Sequence, residues 1–235
     1  ELQMKNKKIH VMVSSIIEYI LFQKVSICIA VTNRMVKHYQ KKYPKSHCKF
    51  IVYAILPSHL GEKNMVFLED YRDKLEIIYS GNTQVWQNID LMLQSIKNNL
   101  SENIHFTILT GEPSKFIEKM NYYALGESDL TIKSVKPEEL ANYYKKSHYG
   151  FVLRDDILVN RVACPTKIIE YLAYGITPIV LSEKIGDFED LGYEYIFLNQ
   201  LEDRLPVQKS LKNIEVIQKV FKSNNFDFRN EILKS

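Results

Sequence analysis

The stretch "CPTKIIEYLAYGITPIV", residues 164–180, gathers the side chains best suited to hold a charged ligand. Pro165 suits the first position of a helix, where a missing N–H costs nothing, and it leaves the amides of Thr166, Lys167 and Ile168 as donors without an intrahelical acceptor. Those amides, the positive end of the helix dipole and the Lys167 ammonium together make an anion socket. Glu170 stands one turn further in, about 5 Å along the axis at a rise of about 1.5 Å per residue. A carboxylate at that distance can accept hydrogen bonds from two neighbouring hydroxyls, and a phosphate with a diol a few ångströms away describes a nucleotide. A plainer reading fits the same residues. A glutamate near a helix start is favoured by the dipole, and Lys167 with Glu170 makes an ordinary i, i+3 surface pair.

A second corner lies in "YSGNTQVWQN", where Gly81 and Asn82 follow an apolar run and lead through Thr83 and Gln84 toward Gln87. It is neither G-x-G-x-x-G nor a Walker loop, so an ordinary strand-to-helix turn and a phosphate corner both fit. Asp155 and Asp156 follow another apolar run and could reach a ligand, although loop carboxylates are common. The six histidines show no H-x-x-H or H-E-x-x-H spacing, and no metal is expected. No G-x-S-x-G elbow and no Cys with an evident His partner points to hydrolase chemistry.

The elements that must carry these residues alternate. Short runs rich in β-branched or aromatic residues, at 25–31, 49–56, 75–80, 105–110, 149–154 and 177–182, are apolar nearly throughout, as strands buried on both faces are. Between them, Ile89, Met92, Leu93, Ile96 and Leu100 share one helix face, and Leu140, Tyr143 and Tyr144 share another after Pro137. In the helix that opens at Pro165, Ile168, Ile169, Leu172 and Ala173 form the face for the sheet. Lys167, Glu170, Tyr171 and Tyr174 then fall on the opposite or flanking surface, and Gly175 closes the helix. Strand and helix in alternation mean βαβ units, an α/β fold with a doubly wound parallel sheet. A seam without a strong period, "PSHLGEKNMVFLEDYRD", separates a short first unit from a longer second one. The expected divisions are 1–60, 61–205 and a helical tail at 206–235.

Composition narrows the class. With 46% apolar and 25% charged residues the chain reads as globular, and a net charge of +3 with interspersed acids gives no uniform nucleic-acid-binding surface. Cys28, Cys48 and Cys164 offer no C-x-x-C pair, so a reducing cytosol is the simplest home. The most membrane-like run, 11–31, is interrupted by Ser14, Ser15, Glu18, Gln23, Lys24 and Ser26, and reads as a helix followed by a strand. The first residues do not form a signal peptide. Lys37, Lys41, Lys42, Lys45 and Lys49 crowd into thirteen residues. They fit either a solvated helix face or attraction to an anionic membrane surface or lipid-diphosphate acceptor, which would make the protein peripheral at the inner face of the plasma membrane.

"SHYGFVLRDD" followed by "VACPTKIIEYLAYGITPIVLS" resembles the donor-binding region of GT-B nucleotide-sugar glycosyltransferases, particularly the retaining enzymes of bacterial polysaccharide, capsule and lipopolysaccharide synthesis. That family carries a helix reading roughly E-x-x-x-x-x-x-x-E-A-x-A-x-G-x-P-V-I, whose second half is matched by "EYLAYGITPIV". "VTNRMVKHYQKKY" is similar to the last strand and helix of the family's N-terminal domain. "IIYSGNTQVWQNIDLML", "FTILTGEP" and "VKPEELANYYKKSHYGFVLR" are similar to the start and middle of its C-terminal domain. The likeness runs through most of 25–185 in the family's order.

Carried over, the resemblance implies that Glu170 binds the donor ribose, that Pro165, Thr166 and Lys167 hold the diphosphate, and that Gly81 and Asn82 approach the phosphates. Three departures stand out. Val162 occupies the place of the family's first Glu, Pro165 that of its usual loop Gly, and Gln87 lies near the position of a common basic residue. Arg154, Arg161 or Lys115 could supply that charge instead. A two-domain enzyme of this kind needs roughly 350 residues, so the 235 here hold the donor domain and only the tail of the acceptor domain. The implied function is transfer of a sugar from a UDP, GDP or similar donor to a polysaccharide or lipid-linked acceptor in surface glycan synthesis, with no metal or other cofactor. The alternative is an inactive nucleotide-binding module that serves as partner or regulator, which Val162 favours. A nucleotide-sugar epimerase is a weaker third reading, because no strand is followed by G-x-G-x-x-G.

Overall fold

A computed structural model describes residues 8–57, 60 and 74–224. The seam thus lies largely outside the described residues, as does the end of the tail. The first unit runs α1 (Lys8–Lys24), β1 (Ile27–Ala30), α2 (Asn33–Lys42) and β2 (Lys49–Val52), with β1 and β2 paired in parallel. Glu18 accepts hydrogen bonds from Lys42 and Tyr43 and ties α1 to α2. No helix among the described residues is long and apolar enough to cross a membrane.

The second unit is a six-stranded parallel sheet built from β3 (Leu75–Ser80), β4 (Ile104–Leu109), β5 (Leu130–Lys133), β6 (Tyr149–Val152), β7 (Thr177–Val180) and β8 (Ile196–Phe197). In space the order is β5-β4-β3-β6-β7-β8. Counted from β3 this is the doubly wound order, and the direction in which successive strands are added reverses between β3 and β6. Helices α3 (Ile89–Asn98), α4 (Pro113–Tyr122), α5 (Leu140–Tyr144), α6 (Leu158–Val162), α7 (Thr166–Ala173), α8 (Phe188–Leu191) and α9 (Leu211–Asn224) complete it.

The period-2 alternation of β3 sorts its side chains into two cores. Leu75, Ile77 and Tyr79 join Met92, Leu93 and Ile96 of α3 and Phe116 and Met120 of α4. Ile78 faces the other way, onto Ile168, Ile169 and Leu172 of α7 and Val216 and Ile217 of α9. Ser80, two residues on, therefore points at α7 as well. The Tyr171 ring lies over Gly150 of β6 with its hydroxyl against Ser80 of β3, so this side chain faces the sheet. Tyr171 is fully buried and Tyr174 nearly so, which corrects the expectation that both sit on the opposite or flanking surface of the helix.

Both ends of α7 follow its sequence with one shift. The helix begins at Thr166, with Pro165 as the extended residue before it rather than inside it. It ends at Gly175, where the Ile176 amide donates to the Tyr171 carbonyl at 2.9 Å and the Gly175 amide to that of Leu172 at 3.0 Å. The two short strands β5 and β8 are not evident as apolar runs, since "LTIK" is half polar and β8 spans two residues.

Among the described residues, polar bonds join the units at several places. The Thr32 hydroxyl donates to the Val162 carbonyl at 2.7 Å. Asp187, just before α8, accepts from the amides of Asn33 and Arg34 at 2.6 and 2.9 Å, while Arg34 pairs with Glu189 and Asp190. Finally, α9 packs on α7 and ends at Asn224, whose side-chain amide donates to the Ala54 carbonyl at 2.7 Å and accepts from the Ala54 amide at 3.1 Å.

Candidate functional site

Beyond the carboxyl ends of β3, β4 and β6, at the point where the strand order reverses, lies a cleft of about 550 Å³. Pro165, Thr166, Lys167, Glu170, Gly81, Asn82 and Arg154 all line it. The volume falls in the range of small-molecule sites, and the switch point is where ligands sit in open α/β sheets. The other two cations considered from the sequence lie elsewhere. Arg161 is bound side-on by Asp156 through two bonds, and Lys115 is paired with Glu112 beside a separate hollow near Asp90 and Tyr122.

The wall formed by α7 carries the charge. In its first turn the Ile168 amide is taken up by the Pro165 carbonyl at 3.2 Å, so the donors left at the helix mouth are the Thr166 and Lys167 amides, one fewer than expected. The Lys167 side chain folds across to β3. Its ammonium lies 3.9 Å from the centre of the Tyr79 ring and donates to Gln87 Oε1 at 3.0 Å. Gly81 makes room for it: a Cβ there would stand 3.1 Å from Nζ and 2.9 Å from the Tyr79 hydroxyl. That hydroxyl donates to the Asn82 carbonyl at 2.6 Å and fixes the turn. Burial of the ammonium, and after it the neighbouring Arg154 charge, pushes Lys167 well below the usual lysine range, with Glu170 opposing.

Arg154 follows β6 and reaches the cleft with one hydrogen bond to a side chain, Nη1 to Asn160 Oδ1 at 3.1 Å. Desolvation lowers its pKa as well. Among the described residues no carboxylate lies within ion-pair distance of Arg154 or Lys167; both are held by neutral carboxamides. Two neighbouring cations without a carboxylate partner among the described residues constitute a site suited to an anionic ligand.

Glu170 is set from behind. Tyr144, from α5, donates its hydroxyl to Glu170 Oε2 at 2.9 Å and accepts from Ser80 Oγ at 2.8 Å. Tyr171 accepts from the Ser80 amide at 3.1 Å and packs edge-on against Tyr144. Burial, the Tyr171 phenol and the Glu170 charge hold the Tyr144 phenol well above its ordinary pKa, so it remains a donor to the carboxylate. Gly150 in β6 admits the Tyr171 ring, since a Cβ there would meet ring carbon Cε2 at 2.3 Å. Cys164 also lines the cleft, and burial pushes its thiol up to about 11, which keeps it protonated and poorly nucleophilic at neutral pH.

Ser80, Tyr144, Tyr171 and Asn160 belong to this region without standing out in the sequence as parts of a site. Ser80 is findable as the β3 position in step with Ile78. The others depend on which strands become neighbours. Val162, at the end of α6, presents its carbonyl to Thr32 and has no polar side chain to offer a ligand. No group of three or more potential metal ligands occurs among the described residues.

The strand order and a cleft at its switch point define a doubly wound α/β fold, and the solved structures of similar shape narrow it. These are GT-B glycosyltransferases, whose fold this chain takes. The pneumococcal O-GlcNAc transferase GtfA, solved with UDP and GlcNAc, matches with a TM-score of 0.56 at 15% identity over 91% of this chain and 41% of that one. A TarM variant from S. aureus, solved with Fondaparinux, alpha-GlcNAc-glycerol and UDP, matches with 0.59 at 10% identity over 91% and 44%. WaaG, a glycosyltransferase of lipopolysaccharide biosynthesis, matches with 0.53 at 12% identity over 85% and 58%. The chain thus spans about half the length of the structures it resembles. No protein-family model matches the sequence, and no curated protein does.

Proposed function

We propose that this chain is the donor-binding half of a glycosyltransferase that takes a nucleotide-diphosphate sugar in the cleft between β3, β6 and α7. The observation that carries the reading is the pairing of Arg154 and Lys167, two cations without carboxylate partners among the described residues, with Glu170 one turn along the same helix. In this reading Glu170, steadied by Tyr144, accepts the ribose hydroxyls. The Thr166 and Lys167 amides with the two cations hold the diphosphate and stabilise the charge that builds on it as the sugar leaves. Clamping both ends of the nucleotide fixes the reacting carbon, which is a positioning contribution to rate. By resemblance the transfer retains configuration, and the acceptor is a polysaccharide or lipid-linked glycan of a bacterial surface. The donor domain then corresponds to 61–205, with 1–60 from the acceptor side and 206–235 as the returning tail.

Exposed apolar surface on the first unit supports an acceptor domain larger than β1 and β2. Ile29 and Ile55 are each 52% exposed, and Ile9, Ile16 and Ile17 of α1 are exposed as well. Parallel sheets are ordinarily covered on both faces. The second reading, a nucleotide-binding module without transfer activity, is favoured by Val162, which leaves the donor sugar without its usual carboxylate partner. Calorimetric titration with UDP, GDP and ADP tests the site. One of them is expected to bind, and Glu170→Ala should weaken it about tenfold, the loss of charged hydrogen bonds to two hydroxyls. Binding unchanged by Glu170→Ala would sink the assignment, and binding without sugar transfer by the full-length protein would favour the module.

A further inference from the structure

Both cations in the cleft are oriented by a side chain that is polar and uncharged. Asn160 is 3% exposed and has every polar group of its amide engaged. Its Oδ1 accepts from Arg154 Nη1 at 3.1 Å and its Nδ2 donates to the Asp155 carbonyl at 2.9 Å. Its backbone carbonyl accepts from the Gly186 amide at 3.2 Å, so the residue is fixed on both sides of its Cα. Gln87 closes the 3-10 turn Val85–Gln87 after β3, and its Oε1 accepts from Lys167 Nζ at 3.0 Å. Several cations outside the cleft are held differently. Arg34, Arg161, Lys115, Lys119 and Lys42 are all held by carboxylates.

We propose that Asn160 and Gln87 are positioning residues that aim Arg154 and Lys167 at the diphosphate of a bound nucleotide while leaving their positive charge unneutralised. The inference rests on the nucleotide reading of the cleft. A carboxylate at either position would hold the cation at least as firmly, because a charge-assisted bond is stronger than a neutral one. It would also supply the anion that the ligand is meant to bring, and place a negative charge beside the ligand's own. Neutral carboxamides give direction without that competition. Crowding raises the energy of the empty site, since the Arg154 charge disfavours the protonated form of Lys167 and burial disfavours the charged form of both. An arriving diphosphate relieves it.

The isosteric substitutions Asn160→Asp and Gln87→Glu separate positioning from mere structural support. Affinities for UDP, pyrophosphate and uridine are measured by calorimetry, and the melting temperature is measured alongside. Each variant is expected to bind UDP and pyrophosphate at least about tenfold more weakly, to bind uridine as before, and to melt no lower than the parent. Asn160→Ala should lose about tenfold for UDP in the parent and nothing further in an Arg154→Ala background, because it acts through that guanidinium. Unchanged pyrophosphate affinity in Asn160→Asp and Gln87→Glu overturns the proposal, as does an equal loss for uridine, or losses for Asn160→Ala and Arg154→Ala that simply add. If the buried Asn160→Asp variant does not fold, the more open Gln87→Glu carries the same decision. A parent that binds pyrophosphate but gains nothing from the uridine moiety of UDP breaks the nucleotide reading alone, and the test is then read on pyrophosphate. A parent that binds neither overturns both.

Discussion

Two helices begin beside a basic side chain with their first amides turned toward the carboxyl edge of a sheet, and they meet that situation in opposite ways. At the start of α2, Thr32 caps the Met35 amide at 3.0 Å, Asp187 accepts from the Asn33 and Arg34 amides, and Glu189 and Asp190 hold the Arg34 side chain. Every positive feature there is answered by a carboxylate or hydroxyl of the chain itself. At the start of α7, the Thr166 and Lys167 amides, Lys167 and Arg154 face a cleft, and the side chains that hold the two cations carry no charge. The same elementary arrangement of helix mouth and cation serves as a fastening in one place and as an open seat in the other. Whether the chain supplies the anion decides between them.

The largest effect should come from the open seat. Arg154→Ala and Lys167→Met are each expected to weaken UDP binding about 10- to 100-fold, the worth of a charged hydrogen bond in a partly dry site, with little change in melting temperature. Titration calorimetry decides this, and a variant that melts at a lower temperature yet binds UDP as the parent does would make α7 a second fastening. The converse test removes the anion from the filled seat. Asp187→Ala should cost about 1–2 kcal/mol in urea denaturation, as loss of a helix cap and a dipole partner does, and leave nucleotide affinity where it was.

Acidity gives two further and smaller contrasts. Lys167 is held well below the ordinary lysine range by burial and Arg154, and a bound diphosphate favours its charged form. Binding should therefore take up a proton above the free-state pKa of Lys167, and affinity should fall as pH rises through it. Calorimetry in buffers of different ionisation enthalpy detects the uptake, which Lys167→Met should abolish. At the filled seat the sign reverses. Arg34 lowers the carboxyl of Asp190 below its reference value of 3.8. A carboxylate with a depressed folded-state pKa contributes stability above its unfolded pKa and loses it as pH falls through the folded one. The difference in stability between the parent and Arg34→Met should accordingly shrink below about pH 4. It will be about a few tenths of a kcal/mol, because Asp190 is largely exposed and solvent screens the pair.

The contrast also marks what a sequence can disclose. Period and composition suffice for β3, β4, β6, β7, α3 and α7, because unbroken apolar runs and helical spacing report burial directly. They fail for β5 and β8, which are held by neighbours rather than by their own apolarity. Lys167, Glu170 and Gly81 are legible as a site because their roles depend on local helix and turn geometry. Asn160, Tyr144 and Tyr171 are not, since each matters through a partner that the sequence does not place beside it: Tyr144 through Ser80, 64 residues away, and Tyr171 through a space opened by Gly150. Arg34 and Arg154 look alike in the sequence, and only strand order reveals that one faces three acids and the other an amide.

The clasp between Asn224 and Ala54 has a bearing on how the chain is made. Its two hydrogen bonds join residues 170 positions apart, and α9 cannot bring Asn224 into place until it has docked on α7. A ribosome completes β1, α2 and β2 well before α9, and although their bonds to Val162 and Asp187 can form sooner, this clasp waits for α9 to emerge. At about 5–20 residues per second that interval is on the order of 10–30 s, during which the first unit remains without its clasp. The N-terminal strands thus gain their last fastening well after their own synthesis, and removing the last turn of α9 would loosen strands made long before it.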